Sequence, residues 1–91
     1  MTLDDLYQII CQRRDHPTAQ SYTARLMAAG EDEILKKVGE EAMEIILAAK
    51  GQGDQRLIEE VSDLTYHLLV LLAYKRIELS AIQAELERRH R

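Results

Sequence analysis

A run of six consecutive apolar residues, residues 68–73 (LLVLLA), constrains the fold of this 91-residue chain more than any other feature. The run lies in a segment without glycine or proline, which is typical of a helix, and its side chains would point to every side of that helix. A helix that is apolar all round has to be buried all round, and three neighbouring helices from so short a chain could hardly do this. We therefore predict that a homodimer, or a higher homo-oligomer, completes a four-helix core.

The composition predicts an all-α fold. Proline occurs once, Phe and Trp are absent, and residues that favour helices dominate. No segment shows the sustained alternation of apolar and polar residues that a half-buried strand needs. A second core would require roughly 100 further residues, so residues 1–91 are predicted to form a single domain. The expected fold is a small all-α helical bundle.

Capping residues define two short helices in the first third of the chain. Thr2 and Asp5 have the spacing of a capping box, which predicts a helix that begins there and ends before Pro17. Ser21 is expected to cap a second, shorter helix, which Gly30 closes.

Two long helices and a final helix are expected in the rest of the chain. The long helices are predicted over about residues 32–50 and about residues 55–75, joined by a glycine-rich loop of residues 51–54. Ser80 and Gln83 have the spacing of another capping box, which predicts where the last helix begins.

The charge and cysteine content exclude several classes of function. The formal net charge is −4 and the chain lacks a basic block before its last few residues, so no nucleic-acid partner is expected. The longest apolar run is far shorter than the roughly 20 residues that span a bilayer, and no signal peptide opens the chain. We therefore expect a cytoplasmic protein without membrane contacts. Cys11, the single cysteine, is expected to be a packing residue.

Two clusters of carboxylates stand out in the long helices. One contains Glu40, Glu41 and Glu44, and the other contains Glu60 and Asp63. Such clusters are often only the solvated face of a helix. At about 100° per residue, however, only Glu40 lies opposite the apolar stripe, and the other four acids lie beside it. Antiparallel packing of the two helices would bring these two pairs of carboxylates face to face.

Four facing carboxylates need a counter-charge. Two unit charges about 6 Å apart at an effective dielectric constant near 20 repel by roughly 3 kcal/mol, and four acids form several such pairs. Either the pKa values rise and protons are shared, or a cation lies between the acids. Because carboxylates are hard oxygen ligands, the expected cation is Mg²⁺, with Mn²⁺ as the alternative. Mg²⁺ in such a site commonly shares its ligand shell with substrate phosphates, which indicates phosphoanhydride or phosphate-ester chemistry.

The two acidic motifs resemble those of the all-α nucleoside-triphosphate pyrophosphatase (MazG-like) superfamily. A longer series of residues is similar to the phosphoribosyl-ATP pyrophosphatase family of histidine biosynthesis, and it consists of Pro17, residues 21–24 (SYTA), Leu26, Gly30, residues 36–42 (KKVGEEA), residues 48–50 (AAK), residues 63–64 (DL) and residues 66–72 (YHLLVLL). The resemblance covers nearly the whole chain. Ser62, Thr65 and Arg76 depart from the common pattern, and none of them is a proposed ligand.

The resemblance implies Mg²⁺-dependent hydrolysis of phosphoribosyl-ATP to phosphoribosyl-AMP and pyrophosphate, the second step of histidine biosynthesis. Glu41, Glu44, Glu60 and Asp63 are the expected metal ligands. Glu40 is an outer ligand, or it orients or deprotonates the attacking water. These five acids are the candidate catalytic residues.

Six further residues are candidates for binding the nucleotide substrate: Arg13, Ser21, Tyr22, Thr23, Lys37 and His67. Four of them also have a structural alternative. Ser21 is equally a helix cap, Tyr22 a core residue, and Lys37 an ion-pair partner of Glu41. His67 could orient the Asp63 carboxylate, contact substrate, or be a hydrogen-bonded histidine at the edge of the core. Tyr66 is expected to lie away from the seam between the two long helices, in the dimer contact.

Two other functions remain open from the sequence. One is a house-cleaning pyrophosphatase of the same fold that acts on ordinary or damaged nucleoside triphosphates. The other is a non-catalytic helical dimerisation module, which would neither bind Mg²⁺ nor melt at a different temperature in its presence.

Overall fold

The structure is a computed structural model that describes residues 1–90, and within that range it contains five helices and no strand. The helices are α1 (Leu3–Asp15), α2 (Tyr22–Ala29), α3 (Glu31–Gly51), α4 (Asp54–Tyr74) and α5 (Leu79–Arg89). The prediction of an all-α fold is confirmed. Over the same range, no helix has the length and apolar character needed to cross a membrane.

The first two helices begin at the residues that the sequence predicts. The Thr2 hydroxyl accepts from the Asp5 amide and the Asp5 carboxylate accepts from the Thr2 amide, both at 3.0 Å. Ser21 accepts from the amide of Ala24 at 3.1 Å and so caps α2. Gly30, at φ +102°, lets α2 end and α3 begin without an intervening loop, in a backbone conformation that favours glycine.

Helices α3 and α4 form an antiparallel hairpin, which is the largest helix–helix contact in the molecule. Only Gln52 and Gly53 separate them. The antiparallel direction follows from two side-chain contacts: Lys75, just after α4, pairs with Glu31 at the start of α3, whereas His67, earlier in α4, contacts Glu41, later in α3. This hairpin carries all five candidate catalytic acids.

Helices α1 and α2 pack on the open end of the hairpin, where the start of α3 lies beside the end of α4, and they complete a small core. The core residues are Tyr7, Ile10, Leu26, Ile34, Leu69, Val70, Ala73 and Leu79, and Cys11 packs against them as expected. The hydroxyl of Tyr7 donates to the main-chain carbonyl of Ile77 at 2.5 Å. Burial of Tyr7 raises the pKa of its hydroxyl to about 12. This bond joins α1 to the turn between α4 and α5.

The predicted start of the last helix is wrong. Helix α5 begins at Leu79, its N-cap is Glu78, and no side chain caps it, so the Ser80–Gln83 capping box does not form. Burial of Leu79 against the core explains the earlier start, since an apolar contact at that position outweighs a local cap that is available one residue later.

The apolar run of α4 is only partly covered by its own chain. Leu69, Val70 and Ala73 are buried, whereas Leu68 is 42% exposed. Helix α3 shows the same division, since Ile34 is fully buried and Ile46 is 56% exposed. Each long helix therefore packs one side of its apolar surface inside the chain and leaves the other side uncovered.

Six of the exposed apolar side chains of the two long helices define a surface that we call the outer apolar face: Leu35, Met43 and Ile46 of α3 with Ile58, Val61 and Leu68 of α4. On each helix, Leu35 and Ile46 or Val61 and Leu68 lie roughly 60–120° around the axis from the residues that face the partner helix, in the same rotational sense, and Met43 and Ile58 lie farther round in that sense. Because the helices are antiparallel, equal rotation in the same sense places both stripes on the same side of the hairpin.

Candidate active site

The five candidate acids differ in burial, in the order that helical periodicity predicts. Glu60 and Glu41 are the most buried, with side chains 6% and 16% exposed. Glu44 is half-buried, and Asp63 and Glu40 are exposed. A solvated face does not bury two of its carboxylates, so the simplest structural explanation of these motifs does not hold for Glu41 and Glu60.

The acids of α3 and α4 lie at matching levels of the hairpin. His67 contacts the Glu41 carboxylate through Nδ1, and the same Nδ1 lies 3.0 Å from the main-chain carbonyl of Asp63. Glu41 is therefore opposite the turn of α4 that begins at Asp63. Glu44, one turn further along α3, is correspondingly opposite the turn that contains Glu60.

The two buried acids have partners within the chain. Arg56 lies 2.9 Å from Glu60 one turn further along α4, and Glu41 accepts from His67. Within residues 1–90 no group of three or more His, Cys, Asp or Glu residues is placed to hold a metal ion. In this side-chain arrangement, Glu41 and Glu60 contact internal partners, and the four acids do not meet at one point.

The donor set nevertheless fits a hard divalent cation. Glu41, Glu44, Glu60 and Asp63 offer only carboxylate oxygens, which are the ligands that Mg²⁺ prefers, and two of the four carboxylates are already largely removed from water. The backbone places the acids at the same two levels of one hairpin, so a metal contact at Glu60 would replace the Arg56 contact.

Glu44 and Asp63 lie on the side of the hairpin that is opposite the outer apolar face. Angles around each helix axis are measured here from the side that faces the partner helix. Glu44 and Asp63 lie roughly 60–80° from that side, in the direction opposite to Ile46 and Val61. A partner that covers the outer apolar face would therefore leave these two acids accessible.

Tyr22 and His67 connect helix α2 to this site. The Tyr22 hydroxyl lies 2.9 Å from Nε2 of His67, and the two rings meet edge to face at 5.9 Å. Burial of the Tyr22 hydroxyl raises its pKa, and the nearby Glu41 charge raises it further. Tyr22 is thus a partner of the site, although the residue is 43% exposed and does not belong to the core.

Thr23 and Tyr66 form a second link between the same helices. Their hydroxyl groups contact each other, Thr23 is buried, and Tyr66 packs against the core. Tyr66 was predicted to belong to a dimer contact, and the structure instead places it against α2 of its own chain, which docks on that side of α4. The one feature of the sequence that could have indicated this location is that Tyr66 directly precedes His67, a candidate site residue.

The remaining substrate-binding candidates are less closely connected to the acids. Ser21 is buried as the cap of α2, and Arg13 is exposed on the last turn of α1. Lys37 lies 4.0 Å from Glu40, so its weak ion pair is with that residue and not with Glu41. Sequence reasoning also missed Arg56, although its i, i+4 spacing from Glu60 could have indicated the pair.

Comparison with known proteins agrees with these features. A family model described as phosphoribosyl-ATP pyrophosphohydrolase matches residues 3–90. The phosphoribosyl-ATP pyrophosphatase of Listeria welshimeri is 58% identical over 87 residues, which cover 96% of this chain and 84% of that protein. The phosphoribosyl-ATP pyrophosphatase of Clostridium botulinum is 51% identical over 87 residues, covering 96% and 79%. The histidine biosynthesis bifunctional protein HisIE of Nostoc is 44% identical over 90 residues, which cover 99% of this chain and 42% of that relative.

Proposed function

This chain belongs to the phosphoribosyl-ATP pyrophosphohydrolase family, and we propose on that basis that it hydrolyses phosphoribosyl-ATP to phosphoribosyl-AMP and pyrophosphate in histidine biosynthesis. The structural observation that carries the proposal is the burial of Glu41 and Glu60 between α3 and α4. A module that only dimerises has no use for two largely buried carboxylates or for the internal partners that such carboxylates require.

We further propose that Glu41, Glu44, Glu60 and Asp63 hold Mg²⁺, with Mn²⁺ as a substitute. When bound, the ion would neutralise charge on the triphosphate and lower the pKa of an attacking water. Two features support this assignment. All four side chains offer carboxylate oxygens, and each helix carries two of the acids on successive turns, so that both helices can contribute to one site.

Two side chains at the edge of the acids have roles of their own in this proposal. Glu40, with a side chain 54% exposed, is free to turn toward solvent and to orient or deprotonate the attacking water. Lys37, half-buried beside it, places a positive charge where a phosphate oxygen of the substrate would approach. Neither role requires the backbone to move.

The segment at the start of α2 is proposed to contact the nucleotide. Ser21 and Thr23 already use their hydroxyl groups inside the chain, so their contribution is to shape this segment, with the amide groups of the helix N-terminus available for an anion. Tyr22 offers an exposed ring beside the acids. Arg13 supplies a further positive charge from α1, provided that the intervening loop closes over the substrate.

The partner for the outer apolar face is proposed to be a second copy of this chain. Two hairpins that pack these faces together would form a four-helix core, in which Ile46 and Val61 of each copy are covered. A contiguous apolar surface of this kind is unusual on a protein that remains monomeric. Because Glu44 and Asp63 lie on the other side of the hairpin, the dimer would leave them open to substrate.

Pyrophosphate release from different substrates tests the function. Phosphoribosyl-ATP and a panel of ordinary and damaged nucleoside triphosphates would be compared, with Mg²⁺ and with EDTA. We expect strong preference for phosphoribosyl-ATP and loss of activity in EDTA. Faster hydrolysis of a nucleoside triphosphate would favour the house-cleaning alternative.

Single variants connect that activity to the acids. Glu44→Gln and Asp63→Asn are each expected to lower the rate by about 100-fold or more, as losses of electrostatic stabilisation at reaction centres commonly do. Glu87→Gln, an exposed acid on α5, is the matched control and should retain the wild-type rate. Full activity in both site variants would refute the assignment.

A further inference from the structure

We propose that His67 is a positioning residue, which Tyr22 holds in place and which fixes the direction of the Glu41 carboxylate toward the metal position. The inference rests on the proposed function in one respect, namely that Glu41 is a metal ligand. It assigns to His67 a role through Glu41, instead of a contact with substrate or with the Asp63 carboxylate.

The neighbours of the ring determine which nitrogen carries a proton. Nδ1 faces a Glu41 carboxylate oxygen and the Asp63 main-chain carbonyl, and both are acceptors. Nδ1 must therefore be a donor. On the other side of the ring, Nε2 lies 2.9 Å from the Tyr22 hydroxyl, which can donate to its lone pair. The result is a directed chain of hydrogen bonds from Tyr22 through His67 to Glu41.

The surroundings prevent His67 from leaving this orientation. Its side chain is only 8% exposed, and it packs edge to face against the rings of Tyr22 at 5.9 Å and Tyr66 at 5.2 Å. The Thr23 hydroxyl in turn contacts that of Tyr66. Turning the ring over would place Cδ2 at the position of Nδ1 and Cε1 at the position of Nε2, so the hydrogen bonds to Glu41 and Tyr22 would both be lost in a buried environment, which is unfavourable.

Glu41 is constrained as a consequence. Oε1 receives the Nδ1 hydrogen bond, which leaves Oε2 as the oxygen able to turn toward a cation between α3 and α4. Hydrogen bonds of this kind to a ligating carboxylate commonly determine metal affinity, because they restrict the ligand to the productive direction before the ion binds. Helix α2 therefore acts on the site without touching the ion.

Two substitutions at His67 separate this role from simple packing. The amide nitrogen of His67→Asn lies close to the position of Nδ1 and can still donate to Glu41. The longer His67→Gln places its amide near the position of Nε2 and loses that bond. Both variants remove the ring, so a purely structural role predicts equal effects.

Manganese binding, measured by calorimetry without substrate, is the readout. We expect His67→Gln to weaken Mn²⁺ binding by about 10–100-fold and His67→Asn by only about threefold. Tyr22→Phe should weaken it by an intermediate factor, while Tyr74→Phe, which removes an exposed hydroxyl at the end of α4, should have no effect. Unchanged binding in His67→Gln, or equal losses in the Gln and Asn variants, would overturn the proposal.

Nitrogen chemical shifts of His67 test the chain of bonds even if the His67 variants fail to fold. The wild-type protein should show a protonated Nδ1, and Glu41→Gln should change that signal. A signal with the proton on Nε2 alone would overturn the proposal. The function can fail separately: metal binding that depends on His67, in a protein that does not hydrolyse phosphoribosyl-ATP, would refute only the substrate.

Discussion

The guanidinium of Arg56 lies 2.9 Å from the carboxylate of Glu60, one turn further along α4. The Glu60 side chain is 6% exposed and that of Arg56 is 48% exposed, so a surface cation neutralises the most buried acid of the site. Arg56 also lies 3.3 Å from Glu59. A divalent cation that binds Glu60 has to displace or share this internal partner.

Removal of the internal cation is therefore expected to strengthen metal binding. Since the ion pair is partly exposed and contributes at most about 1 kcal/mol, Arg56→Gln should raise Mg²⁺ affinity by up to about fivefold. Calorimetric titration of folded protein measures the effect. Arg88→Gln, which removes an ion pair with Glu85 on α5, is the control and should bind as the wild type does. Weaker binding in Arg56→Gln would mean that Arg56 assists the metal.

Alkaline pH is expected to destabilise the protein through Tyr7. Burial raises its pKa from 10.0 to about 12, so the folded state retains a proton that the unfolded state loses between these values. The contribution of Tyr7 to stability is complete below about pH 10 and is lost as the pH rises through about 12. The measurement is the urea concentration at the unfolding midpoint, at about pH 9 and at about pH 11. Between these two pH values the midpoint should fall less for Tyr7→Phe than for the wild type. Equal falls would contradict this account.

Arg76 is expected to be a position where glycine stabilises the fold. Its φ is +59°, the left-handed conformation that commonly follows a helix, and it is the residue where the chain turns out of α4. A side chain there costs roughly 1–2 kcal/mol, partly offset by the greater freedom of glycine in the unfolded chain. Arg76→Gly should raise the free energy of unfolding by up to about 1 kcal/mol, measured by thermal or urea unfolding. Ser80→Gly, inside α5, should lower it; a loss in both would contradict the argument.

A charge on the outer apolar face is expected to dissociate the proposed dimer. Val61→Glu would place one carboxylate from each copy in the apolar core of the four-helix bundle. A buried carboxylate without a partner is strongly unfavourable. Sedimentation equilibrium should give the dimer mass for the wild type and the monomer mass for the variant. Leu3→Glu, at an exposed apolar position of α1, should stay dimeric. A monomeric wild type would refute the proposed partner.

The parts of the fold that were predictable from sequence are those that local interactions determine. Thr2 with Asp5 and Ser21 with Gly30 define helix ends through atoms a few residues apart, and these ends are confirmed. Helical periodicity likewise placed Glu41 and Glu60 near the buried side of their helices. In each case the relevant geometry is that of a single helix.

The features that were missed depend on contacts between helices. The start of α5 is determined by burial of Leu79 in the core, and the location of Tyr66 depends on where α2 docks. The bond from His67 to Glu41 joins two helices, and a helical wheel of α4 alone could not select Glu41 over Asp63. Rotamer choice decides whether Lys37 faces Glu40 or Glu41, and spacing alone permits both.

The most direct test of the account is the titration of Mg²⁺ into the wild-type protein and into Glu44→Gln and Asp63→Asn, with heat of binding as the readout. If acids from α3 and α4 form one site, the wild type binds the ion and each single variant loses most of that affinity, although the two substitutions are on different helices. If the wild type binds no Mg²⁺, or if both variants bind it as tightly as the wild type, the two helices do not share a metal site and the account is contradicted.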